Sequence, residues 1–212
     1  MLRTLFVVIA LLLAGCQSAY YSAWEKLGVE KRDILSDRVE SAKSAQEDAQ
    51  KQFADALEQL SALISFDGGE LQDTYEALKD QYQSSKDSAD RVGDKIDSIE
   101  NVAEALFDEW EEELTQYSNE SLRRKSEQQL KTTQRRYSKL IRAMRKAEAS
   151  MEPVLTTLND NVLFLKHNLN ASAIGALQGE LEQIQKEIQM LISEMNLSIS
   201  QSEEFISLLN SN

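Results

Sequence analysis

Few side chains in this sequence could do covalent or metal chemistry. Cys16 is the only cysteine and His167 the only histidine among 212 residues. A Ser–His–Asp or Cys–His nucleophile needs an imidazole base, and multi-histidine metal sites need several. With His167 as the lone histidine, neither a His-based triad nor a multi-histidine metal site is expected within one chain. His167 stands in Phe164-Leu165-Lys166-His167-Asn168, next to what reads as a helix end, where a lone histidine caps or packs. The carboxylates Asp108, Glu109, Glu111, Glu112 and Glu113 are oxygen ligands of the kind a divalent cation takes, but consecutive acids on a helix read first as a solvated or salt-bridged face. The basic run from Arg123 to Lys146, with Tyr137 as a ring for stacking, is what a nucleic-acid contact would use. No catalytic residue, cofactor or metal ligand is expected from this set, and the chain is read as a non-enzyme.

The chemistry at Cys16 is set by its place. Arg3 lies in a short polar start, Leu5 to Leu13 is an apolar run of nine residues, and Leu13-Ala14-Gly15-Cys16 ends it. That is the layout of a secretory signal, and nine residues fall short of the roughly 20 that span a bilayer. The last four positions resemble the lipobox, in which small residues precede a cysteine that is diacylated and then freed by cleavage. The resemblance implies cleavage between Gly15 and Cys16 and a lipid on the Cys16 thiol. At about 0.8 kcal/mol per buried CH₂, several acyl chains anchor a protein stably. Gln17, where an Asp would retain a Gram-negative lipoprotein at the inner membrane, implies the periplasmic face of the outer membrane. Tyr20, Tyr21 and Trp24 then stand at headgroup level or begin the helical core.

Bulk composition limits the fold of the chain beyond the anchor. Seven glycines and one proline are too few punctuators for a many-stranded fold. An apolar share of 42% with only 7% aromatic is the supply of a coiled-coil seam. The net charge of −13 repels nucleic acid and anionic membranes at long range.

Periodicity supplies the elements. Leu71, Tyr75, Leu78, Tyr82, Ser85, Ala89, Val92, Ile96, Ile99, Ala103, Leu106, Trp110, Glu113 and Tyr117 recur in steps of four and three, the repeat of a left-handed supercoil. Leu35, Val39, Ala42, Ala45, Ala49, Phe53, Ala56, Leu60 and Leu63 make an earlier seam that stops at Gly68-Gly69. A third runs from Leu130 to Leu169 and should bend at Pro153; a fourth runs from Ile174 to Leu209. The expected fold is all-α, a long antiparallel four-helix coiled-coil bundle. Its parts are a signal peptide over 1–15, a lipidated tether over 16–22, and one bundle domain over 23–212 with helices at about 23–64, 70–117, 120–168 and 172–209. In this register Ala45, Ala89 and Ala147 share a layer near Leu191, a narrow waist with Met144, Met151, Met190 and Met195 close by.

Charge obeys the same plan. Residues 94–113 hold nine carboxylates against Lys95, a net of −8, and residues 120–148 hold ten cations against three acids, a net of +7. A turn near Ser118 lays the two side by side, which predicts register-setting pairing within the hairpin rather than a nucleic-acid site.

Several stretches together, Lys31-Arg32-Asp33-Ile34-Leu35, Phe66-Asp67-Gly68-Gly69, Leu106-Phe107-Asp108-Glu109-Trp110-Glu111, Tyr117-Ser118-Asn119 with Leu122-Arg123-Arg124, Met151-Glu152-Pro153-Val154-Leu155 and Leu163 to Asn170, carry a likeness. The chain resembles an uncharacterised family of proteobacterial lipoproteins, a domain of unknown function (twenty-nine fifty-nine), over essentially the whole mature part. The resemblance implies no catalytic residues. The expected role is that of a lipid-anchored envelope lipoprotein acting through structure or protein interaction, with a membrane contact through Cys16, an unidentified envelope partner, no nucleic acid, and an oligomeric state left open. A periplasmic carrier of a lipid or apolar ligand is the alternative, and a cytosolic coiled coil touching nucleic acid the weaker one.

Overall fold

The computed structural model describes residues 30–65 and 71–211, which form α-helices and their connections. In chain order α1 is Lys31–Ile64, α2 is Leu71–Leu114, α3 is Glu120–Ala149, α4 is Met151–His167 and α5 is Ala171–Asn210. α3 and α4 are two parts of one rod, so the five segments make the four rods that the seams predict. α1 packs on α2 and α5, and the α3–α4 rod closes the ring between α2 and α5. This is the all-α antiparallel four-helix bundle expected, and at 1.5 Å per residue α2 alone spans about 66 Å.

Side-chain ties set the antiparallel register. Lys31, at the start of α1, donates to Glu109 near the end of α2 at 3.0 Å, and further along Gln81 Nε2 donates to the Gln52 carbonyl at 2.9 Å. On the other flank of α1, Gln50 Nε2 reaches the Ile192 carbonyl at 3.2 Å and Asn196 Oδ1 at 3.0 Å.

The seam of α1 holds to steps of four and three: Leu35, Val39, Ala42, Gln46, Ala49, Phe53, Ala56, Leu60 and Leu63 are all buried. Strict alternation from Ala42 lands on Gln46, not on the expected Ala45, which is only half-buried. The bundle's geometry thus overrides the apolar preference at one position and buries an amide. α2 departs in the same way, burying Ser88 in place of the expected Ala89 and leaving Ala89 half-buried. Its seam ends at Leu106 and the half-buried Trp110; Glu113 is exposed in the last turn, and Tyr117 is exposed beyond the helix, which stops at Leu114 and not near 117. Thr115 and Gln116 then bond back to the carbonyls of Glu112 and Glu113.

The expected alanine layer does not form as read, since Ala45 and Ala89 are only half-buried beside the buried Ala147. Buried small residues come to mid-bundle from each rod: Ala42 and Ala49, Ser85 and Ser88, Ala147, and Ser198 and Ser202. Met144, Met151 and Met195 are buried as expected, whereas Met190 is 60% exposed, one step off the α5 seam.

The helix is interrupted at Ser150, three residues before Pro153. Pro153 occupies the first turn of α4, where a backbone N–H would have no helical partner anyway. Ser150 keeps φ −78° and ψ −12°, and its N–H and hydroxyl both bond to the Lys146 carbonyl, so the chain passes from α3 to α4 without losing that hydrogen bond. α3 is started by Asn119, whose Oδ1 accepts from the N–H groups of Ser121 and Leu122 at 2.9 and 3.1 Å. Asn170 does the same for Ser172 at 3.0 Å.

Candidate interaction face of the central hairpin

Gly15 and Cys16, with Gln17, Tyr20, Tyr21 and Trp24, lie outside the described residues, as do positions 23–29 of the first expected helix and the Gly68-Gly69 turn. His167 is exposed at the last turn of α4 beside Lys166, where positive charge suits the free carbonyls of a helix C-terminus. Among the described residues, no group of three or more His, Cys, Asp or Glu is placed to hold a metal ion. In the acidic run 108–113, Glu109 takes Lys31 and Glu111 accepts from Gln134 Nε2 at 3.1 Å.

The charged faces of α2 and α3 are the most developed polar feature of the molecule. Arg145 on α3 is the hub. Its guanidinium donates to Asp97 at 2.5 Å, to Glu100, and to Glu148 on its own helix at 2.9 Å. The bond to Glu100 is the main cause that holds the Arg145 pKa well above its usual value; burial opposes it, and Asp97 and Glu148 add to it. Beside the hub, Gly93 leaves room for the Glu148 carboxylate, whose Oε1 would lie 2.9 Å from a Cβ there.

Tyr137, the ring that a nucleic-acid contact would have used for stacking, packs within the bundle. It sits edge-on to Phe107 of α2 at 5.4 Å between ring centroids and 6.3 Å from Phe205 of α5, tying three rods together. Burial first, and the Glu100 carboxylate after it, push its phenol up to about 12. Nearby, Trp110 Nε1 donates to Ser126 Oγ at 2.8 Å across the same hairpin.

Cross-hairpin neutralisation is narrower than the charge count predicts. Among the described residues Arg145 is the one α3 cation with an ion pair to α2. Arg136 pairs instead with Glu204, and Lys146 with Glu194 at 2.7 Å, both on α5. A basic helix in a ring has two neighbours, and a charge count along the sequence sees only the adjacent one. Arg124 and Lys131 pair within α3, with Glu120 and Glu127; those contacts depress the Glu127 carboxyl through the Lys131 hydrogen bond. Arg135, Lys139 and Arg142 are exposed on a shallow face of about 950 Å³ shared with Arg124 and Lys131.

No described helix is long and apolar enough to cross a membrane. A family described as "Protein of unknown function (DUF2959)" matches residues 20–209. A comparison with curated proteins finds no match.

Proposed function

Because the chain belongs to the family described as "Protein of unknown function (DUF2959)", whose name carries no activity, we propose its function from its own residues: it is a lipid-anchored envelope lipoprotein that works as a non-enzymatic scaffold or interaction rod. The observation that carries the reading is the sequence Leu13-Ala14-Gly15-Cys16, closing a nine-residue apolar run and holding the chain's one cysteine. Two features support a rod that works by contact. The mid-bundle is filled by the chain's own side chains, and its surface chemistry lies in long charged faces with the Arg145 hub at their centre. Gln17 supports the outer membrane as the address, with the bundle on the periplasmic face.

Radiolabelled palmitate and fractionation test this. The wild-type chain is expected to take up label and stay in the membrane fraction after a salt wash, and Cys16→Ser to lose both. A Cys16→Ser chain that remains with washed membranes would overturn the lipoprotein reading.

A further inference from the structure

Two opposite rows of charge run outward, side by side and at the same height, on α2 and α3. Residues 100–113 of α2 hold seven carboxylates and no cation; residues 124–142 of α3 hold seven cations against Glu127. Counting from the Arg145–Asp97 bond, the antiparallel register brings Lys139 level with Glu104, Arg135 with Asp108 and Lys131 with Glu112. All six residues are exposed, and no ion pair joins them across the hairpin among the described residues. They fail to meet for a geometric reason. Outward directions diverge on helices whose axes are 8–10 Å apart, so rows that match in height cannot close on each other within one molecule.

We infer that the outer face of the α2–α3 hairpin is the contact surface for a second copy of this chain, in a parallel twofold dimer. A twofold axis lying between α2 and α3, along the rods, sets α3 of one protomer over α2 of its partner and repeats the contact the other way. Heights are preserved by that operation, so each level pair above becomes an intermolecular ion pair, formed twice. An isologous contact needs a self-complementary surface, and this face carries both signs in matching order.

A foreign polyanion fits less well. A nucleic acid or an anionic bilayer wide enough to engage Arg135 and Lys139 also meets Asp108 and Glu104 one helix away, in a chain of net charge −13. The dimer does not depend on the lipid at Cys16. It puts the two α1 starts, at Lys31, at the same end, as the proposed anchoring of two copies in one membrane requires.

The test is a charge swap on the full chain in a neutral, density-matched detergent, read by sedimentation. In low salt the wild-type chain is expected to associate into dimers, and to fall toward protomers as salt shortens the Debye length from about 10 Å at 0.1 M to about 3 Å at 1 M. Reversing the basic row (Lys131→Glu, Arg135→Glu, Lys139→Glu) or the acidic row (Glu104→Lys, Asp108→Lys, Glu112→Lys) should each weaken dimerisation roughly tenfold or more. Both reversals in one chain should restore it, with circular dichroism showing that every variant keeps its helices. If a single-row variant loses its helices, milder Arg135→Gln with Lys139→Gln should still weaken the dimer. A wild-type chain that stays a protomer in low salt overturns the inference, whether or not it binds a labelled duplex or anionic vesicles, and so does a dimer that survives either single-row reversal.

Discussion

Gln46 is fully buried, and neither its amide nitrogen nor its oxygen has a hydrogen-bond partner among the described residues. Ser198 Oγ, close to the same level on α5, is in the same condition. An unpaired buried amide costs about 1–3 kcal/mol relative to a side chain with nothing to satisfy. Gln46→Met keeps the length and removes the polar atoms, so it should raise the unfolding free energy in a urea melt by about 1 kcal/mol or more. A loss of stability would mean that the amide is satisfied in solution and fixes the register of α1. Tyr137 gives the residue-scale prediction for pH. Its folded pKa of about 12 lies above the ordinary value of 10.0, because burial disfavours the phenolate. The folded chain therefore holds this proton after the unfolded chain has lost it. The contribution is fully present below pH 10 and is lost as pH rises toward 12. In a phenolate absorbance titration, Tyr137→Phe should remove a late step and leave the earlier ones; if an early step goes instead, the ring is not in its three-rod contact.

At the scale of elements, the alanines displaced from the seams sit on flanks. The repeat assigns Ala89 to a tight methyl layer, where Leu would overpack at about 1–3 kcal/mol. In the structure it borders an open groove of about 510 Å³ with Gly93 and Leu155. Ala89→Leu should therefore change stability by less than about 0.5 kcal/mol, or raise it slightly. A cost above 1 kcal/mol in a urea melt would restore the closed layer. The α3–α4 rod makes a related point. Pro153 announces a break in the sequence, yet the helix is interrupted at Ser150, because a proline is accommodated best when the helix restarts just before it.

For the whole molecule, closure is decided between the ends of the chain. α1 packs on α5, and α5 also packs on the α3–α4 rod, so the last rod completes the core of the first. Ending the chain after Asn170 would expose the inward faces of α1 and α3, including Phe53, Leu60 and Met144, all fully buried in the intact bundle. The truncated chain should lose its cooperative thermal transition in circular dichroism. Retention of a sharp melt at the same temperature would show that the first three rods fold independently of α5.

Local periodicity is enough to determine the class, the number of rods and their antiparallel order, since steps of four and three with short connections admit few other packings. Leu35 to Leu63 and Leu130 to Leu165 can be read from the sequence almost residue by residue. The proposal for Cys16 likewise rests on sequence alone, because a lipidation signal is a linear motif and needs no fold. Tertiary structure decided what depends on having two neighbours at once: that Gln46 and Ser88 turn inward in place of Ala45 and Ala89, and that Tyr137 closes on Phe107 and Phe205. It also decided that Arg136 and Lys146 reach α5 while Arg145 alone bridges to α2. A helix in a ring faces both sides, and a charge or a methyl in the sequence does not say which side it will meet.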